Sequence, residues 1–238
     1  MPRISRQRAS RGSQKWLQIL VNDYPEIFAR ELAPKLGLST DQQIKWLSPL
    51  KDDEYAEYRD RAFVERLGVN PSTPLTVFWP KGGPVWDALA KTRREELVLV
   101  EAKAHIGEIV SSGTRASGAS LAQICASLKV TQQFLGAASP ADWSVHFYQY
   151  TNRLAHLYWL REVNRLPAYM VFLYFINDPD MDGPTTREEW EGAIRLLQSF
   201  LGLRRHKLSA YVLDVFVDVT ELEQARKSQV TERDAHGT

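Results

Sequence analysis

Nine consecutive apolar residues, AYMVFLYFI at 168–176, set the tightest limit on how this 238-residue chain can fold. The run is about half of the ~20 residues that a helix needs to span a bilayer. Its aromatic and β-branched content reads as a strand, closed by the loop DPDMDGPTT at 178–186. A strand with no polar face has to be covered on both sides. The chain must therefore supply helices for two faces of one sheet.

The remaining pattern offers such helices. Residues 13–33 carry Trp16, Leu17, Ile19 and Leu20, then Ile27, Phe28 and Leu32, with Pro25 suited to a helix start, so two short helices are expected. Ser39, Thr40 and Asp41 offer an N-cap for a third, with Ile44, Trp46 and Leu47. A helix over 52–67 ends at Gly68. Strands are expected at 75–79, 84–92 and 97–105, then helices at 120–137 and 142–163. After the strand at 168–176, Thr186 and Glu189 form a capping box for a helix with Trp190, Ile194, Leu197 and Leu201. A last strand follows at 211–219. Hairpin and crossover connections together predict an α/β fold, a mixed central sheet flanked by helices with a helical N-terminal extension. The divisions expected are 1–50, a helical extension with a basic arm; 51–222, the sheet domain; and 223–238, a polar, frayed tail.

Composition removes several classes. Thirty basic residues against 29 acidic ones leave a net charge of +1, so bulk charge does not announce a nucleic-acid binder. One cysteine, Cys125, excludes a disulfide framework within the chain and argues against a cysteine-based zinc site; it is expected to be a buried small hydrophobe. The predicted setting is reducing and cytoplasmic, with no membrane span. The first 15 residues lack the apolar core of a secretory signal. They carry Arg3, Arg6, Arg8, Arg11 and Lys15 with no acid, and read as a solvated arm or as one that touches phosphates. No glycine-rich loop follows a strand, which excludes a doubly wound dinucleotide fold.

The chemistry gathers in LVLVEAKAH, 97–105. Alternation puts Leu97, Leu99, Glu101 and Lys103 on one strand face and Val98, Val100, Ala102 and Ala104 on the other. If the hairpin with 84–92 centres on Arg94, paired positions sum to 188 and Asp87 stands opposite Glu101, with the two Cα atoms within ~5.5 Å. Opposed carboxylates repel, and Lys103 relieves only part of that. A divalent metal would relieve the rest, with the Ala102 carbonyl as a further hard oxygen ligand.

Asp87 followed after a hairpin by Glu101-Ala102-Lys103 resembles the PD-(D/E)XK superfamily of restriction-endonuclease-like nucleases, with Trp86 where the family's name has proline. The resemblance covers roughly 52–177 and includes the order of the flanking elements. It implies a restriction-endonuclease-like sheet and cleavage of nucleic acid, DNA ahead of RNA. It implies that Asp87, Glu101 and the Ala102 carbonyl hold Mg²⁺ or Mn²⁺. Lys103 would orient or help deprotonate the attacking water. It implies an acid on the preceding helix, for which Glu65 is chosen over Glu57. Gln149, on a later helix, would hold metal-bound water or substrate. Arg153 lies one turn on, on the same helical face, and would hold a phosphate. Arg115, in the small-residue loop 111–120, and His105, beside the motif, are further candidates for substrate contact. Two other readings stand beside this one: a non-catalytic nucleic-acid-binding protein of the same fold, and a protein-interaction scaffold. An oligomer is left open.

Overall fold

The apolar run at 168–176 is the fourth strand, in chain order, of a five-stranded sheet. The computed structural model describes residues 3–37 and 44–236, with side chains up to residue 228. The elements are β1 (Arg3–Ile4), α1 (Gly12–Asn22), α2 (Pro25–Leu32), β2 (Lys45–Ser48), β3 (Glu57–Tyr58), α3 (Asp60–Arg66), α4 (Leu75–Phe78), β4 (Ala88–Lys91) and β5 (Leu97–Lys103). They continue with α5 (Gly118–Leu135), α6 (Tyr148–Tyr158), β6 (Ala168–Ile176), α7 (Arg187–Leu201), β7 (Val212–Asp218) and α8 (Val219–His236). The sheet order is β2-β4-β5-β6-β7. β2, β4 and β5 pair antiparallel, whereas β5, β6 and β7 pair parallel. The fold is therefore mixed α/β.

Alternation along the strands sorts the core into two layers. Leu97 and Leu99 of β5 join Met170, Phe172 and Tyr174 of β6 beneath α3, α5, α6 and α7. Val98, Val100, Ala102 and Ala104 join Val171, Leu173 and Phe175 beneath α1 and α2, with Leu222 of α8. Eight of the nine residues of β6 are thus buried, with Tyr169 half-buried, and full burial of a large apolar side chain contributes about 1.5–3 kcal/mol. The helical extension expected over 1–50 is in fact one layer of the core, and β2 within it is an edge strand of the sheet. Trp46 of β2 packs against Phe28 of α2 at 4.8 Å between ring centroids.

The two N-terminal helices, α5, β6, β7 and the capping box at Thr186–Glu189 stand where the pattern puts them. Gly68, in the left-handed region at φ 63°, closes α3. Several expectations are overturned. Residues 75–78 form one helical turn instead of a strand, burying Leu75 and Phe78 and exposing Val77; so short an apolar run does not distinguish the two periods. Ile44, Trp46 and Leu47 lie in or beside strand β2 instead of a helix, while the cap at 39–41 lies outside the described residues. The helix over 52–67 shrinks to α3, because Glu54, Tyr55 and Asp60 adopt positive φ and residues 57–58 pair with β1 instead. Residues 142–147 form a loop before α6, and its last stretch, Trp159–Val163, widens into a π-helical turn. The tail expected to fray is helix α8. Cys125 is exposed on α5. No helix among the described residues is long and apolar enough to cross a membrane.

Candidate active site

The β4–β5 hairpin has the register that the sequence suggests. Ala88 pairs with Val100, Leu89 with Leu99 and Lys91 with Leu97, around a five-residue turn closed by Thr92 N–H on the Glu96 carbonyl at 3.0 Å. The ladder ends at Ala88 and Val100; Asp87 stands in a bend just before β4, near enough to Glu101 to feel its charge. Asp87 Oδ2 accepts from the Ala102 backbone N–H at 2.8 Å, which ties the start of β4 to the end of β5. No hydrogen bond reaches its Oδ1 among the described residues.

Both oxygens of Glu101 are engaged. Lys103 Nζ donates to Oε1 at 2.6 Å, and Arg153 donates to Oε2 through Nε at 2.8 Å and again through Nη2. Parallel register sets Glu101 beside Phe172 of β6, whose ring stacks on Tyr150 of α6 at 4.4 Å. This apolar floor explains why a carboxylate here is only 2% exposed. Lys103 also donates to Gln149 Oε1 at 3.0 Å. Because Gln149 and Arg153 are four residues apart on α6, one helical face fixes both charged residues of β5.

The charges are unevenly matched. Desolvation and the nearby Glu101 push the Asp87 carboxyl up to about 8, with Lys103 pulling only partly against them. Burial also opposes ionisation of Glu101, but Arg153 and Lys103 outweigh it and hold that carboxyl below its usual range. Burial opposes the Lys103 ammonium, and Glu101 with Asp87 outweigh it, so its pKa is raised. The centre therefore contains a firmly ionised Glu101–Lys103–Arg153 cluster and an under-compensated Asp87.

These groups open into a cleft of about 670 Å³. Asp87, Glu101, Ala102, Lys103, Gln149 and Arg153 all line it, and Arg115 stands at its lip, exposed and with no carboxylate partner among the described residues. Two candidates fall elsewhere. Glu65 is exposed, paired with Arg61 at 2.6 Å, and lines a different groove. His105 lies outside the cleft lining, 3.8 Å from Glu108. Two further acids line the cleft, Glu108, which accepts from the Ala104 N–H, and Glu57, 5% exposed, which repels Asp87 electrostatically. Glu57 accepts from Arg6 at 2.7 Å and Gln14 at 2.8 Å. The basic arm is exposed but tethered: Arg3 is bound to Asp53 and Arg6 to Glu57, while Arg8 and Arg11 face solvent. Nothing in the local pattern marked Gln14 or Asn152 as cleft residues; long-range pairing of β1 with β3 and the seating of α1 put Gln14 there. Arg153, expected on a phosphate, has Nε, Nη1 and Nη2 committed within the protein.

For a divalent metal the donor chemistry fits: two carboxylates and the Ala102 carbonyl are hard oxygens, and Asp87 lacks an adequate counter-charge. Among the described residues no group of three or more His, Cys, Asp or Glu is placed to hold an ion, so an ion here would take its remaining ligands from water and substrate. Comparison of the chain with protein-family models, curated proteins and solved structures finds no match.

Proposed function

We propose that the chain is a metal-dependent nuclease of the PD-(D/E)XK kind, hydrolysing phosphodiester bonds of nucleic acid, with DNA proposed ahead of RNA. The observation that carries this reading is the gathering of Asp87 and Glu101, with Asp87 bound to the Ala102 N–H and the Lys103 ammonium 2.6 Å from Glu101, in an open cleft at the end of a buried strand. The order α3, β4, β5, α5, β6 supports a restriction-endonuclease-like core in part: the resemblance also includes a strand near residue 75, where the chain forms helix α4.

Asp87, Glu101 and the Ala102 carbonyl would hold Mg²⁺ or Mn²⁺, which when bound supplies Lewis acidity and a more acidic water. Lys103 is held protonated by its neighbours, so its part is to donate: it orients a water or phosphate oxygen and balances developing charge. Gln149 anchors Lys103 through its amide oxygen, leaving its amide nitrogen to donate toward substrate. Arg115 meets the phosphate backbone at the lip of the cleft.

Chelator-stripped protein, supplied with Mg²⁺ or Mn²⁺ and single- and double-stranded DNA and RNA, tests the reading. Product is expected only with metal, and Lys103→Ala is expected to lower the rate by about 100-fold or more with an unchanged circular dichroism spectrum. Arg115→Ala is expected to weaken binding about equally across sequences and to lower the slope of log affinity against log salt by about one; a salt-titrated binding assay in chelator measures it.

One observation favours a second reading, a non-catalytic nucleic-acid-binding protein. Both Glu101 oxygens are already held by Lys103 and Arg153, which balances that carboxylate without a metal. Salt-sensitive binding by the wild type without product under any metal would select it.

A further inference from the structure

Arg153 is the side chain in the cleft with the most partners. It is 5% exposed. Its Nε and Nη2 both donate to Glu101 Oε2, Nη2 donates again to the Val85 carbonyl at 3.0 Å, and Nη1 donates to Asn152 Oδ1 at 2.8 Å. The guanidinium lies 5.0 Å from the Trp86 ring. These partners come from both arms of the hairpin: Glu101 lies near the end of β5, and Val85 and Trp86 lead directly into Asp87. Asp87 is in turn bound to the Ala102 N–H at 2.8 Å. Nη2 bridges the Glu101 carboxylate and the Val85 carbonyl, while Nε on Glu101 and Nη1 on Asn152 fix the plane of the guanidinium and so the place of that bridge, an orientation that the freely rotating ammonium of a lysine does not impose.

We propose that Arg153 is the positioning residue that sets the spacing of the two site carboxylates, bracing Glu101 against the Val85–Asp87 segment. It does not touch the substrate. The inference rests on the nuclease reading for what the spacing serves, since displacing a reacting group by about 1 Å can cost on the order of 100-fold in rate. The brace itself rests on the hydrogen bonds above.

Arg153→Lys separates positioning from charge balance. Lysine keeps the charge beside Glu101 but lacks the Nε and Nη1 bonds that hold the donor in place between Glu101 and the Val85 carbonyl. Amide hydrogen exchange then reads the brace without any catalysis. In folded Arg153→Lys the Ala102 amide, bonded to Asp87, is expected to exchange about tenfold faster, while Val98 and Leu99 in mid-sheet keep their protection. Arg153→Gln, which loses the charge as well, is expected to show a larger change in the same direction. Where cleavage is measured, kcat should fall about 100-fold with KM nearly unchanged. Wild-type exchange at Ala102 together with wild-type kcat in Arg153→Lys would overturn the proposal, leaving Arg153 as a counter-charge only. Faster Ala102 exchange in the variants of a chain that cleaves nothing with Mg²⁺ or Mn²⁺ would support the brace and remove the nuclease reading alone.

Discussion

Asp87→Asn is expected to abolish cleavage and, at the same time, to make the protein more stable above about pH 8. The two effects share a cause. Asp87 is half-buried at the floor of the cleft and close to Glu101, and both facts disfavour its charge. In the unfolded chain it ionises at about pH 3.9; in the folded chain it keeps its proton up to about pH 8. Below the first value the two states bind the proton alike and the carboxyl carries no charge penalty. As pH rises toward the second value, the unfolded state alone releases its proton, and the fold loses roughly 1 kcal/mol per pH unit. Above it the loss is complete. Asparagine keeps the acceptor oxygen for the Ala102 N–H and never ionises. The melting temperatures of wild type and variant, compared at pH 5 and pH 9 in chelator-stripped protein, should diverge as pH rises, with the variant higher. Parallel profiles would mean that Asp87 is not strained in this way. Loss of a metal ligand removes several kcal/mol of transition-state stabilisation, on the order of 10³-fold in rate. A residue whose removal stabilises the fold and destroys activity is held there for function.

Glu101→Gln is expected to have the opposite effect on stability. Arg153 and Lys103 have side chains only 6% and 12% exposed, and Glu101 is the carboxylate that both contact. Neutralising it strands two cations at the end of a buried strand. Removing one partner of a buried ion pair costs about 3–5 kcal/mol, or on the order of 10 °C in melting temperature for a chain of this size. The wild-type network itself need not be strongly stabilising, because desolvation offsets much of the attraction; the cost lies in breaking it. Adding Arg153→Met in the same chain removes one stranded charge, so the double variant should recover part of the loss, a non-additivity that a double-mutant cycle measures. Full wild-type stability in Glu101→Gln would show that the cluster is far better solvated than its burial indicates.

The hairpin was legible from the sequence because it is local. Apolar alternation in 97–105 and the short charged connection placed Asp87 opposite Glu101, and the pairing of Lys91 with Leu97 through Ala88 with Val100 follows that register. Gln149 and Arg153 were legible as a pair on one helical face for the same reason. Glu57 was not. The helical look of 52–67 pointed to Glu65, yet β1 pairs with residues 57–58, some fifty positions away, and draws Glu57 into the cleft while Glu65 turns to solvent. The strand at 45–48 escaped for a related reason: its partner is β4, not a sequence neighbour.

Period and spacing along the chain were enough to establish a sheet covered on both faces, the strand AYMVFLYFI within it, and the carboxylates and lysine at one hairpin end, since each depends on residues within a few positions of one another. Pairing between distant segments settled the rest. It made the N-terminal helices a layer of the core, seated Glu57 and Gln14 in the cleft, and turned Arg153 inward onto Glu101 and Val85. Such contacts depend on which surfaces meet once the chain collapses, and the local pattern of the residues involved reads the same whether or not they meet.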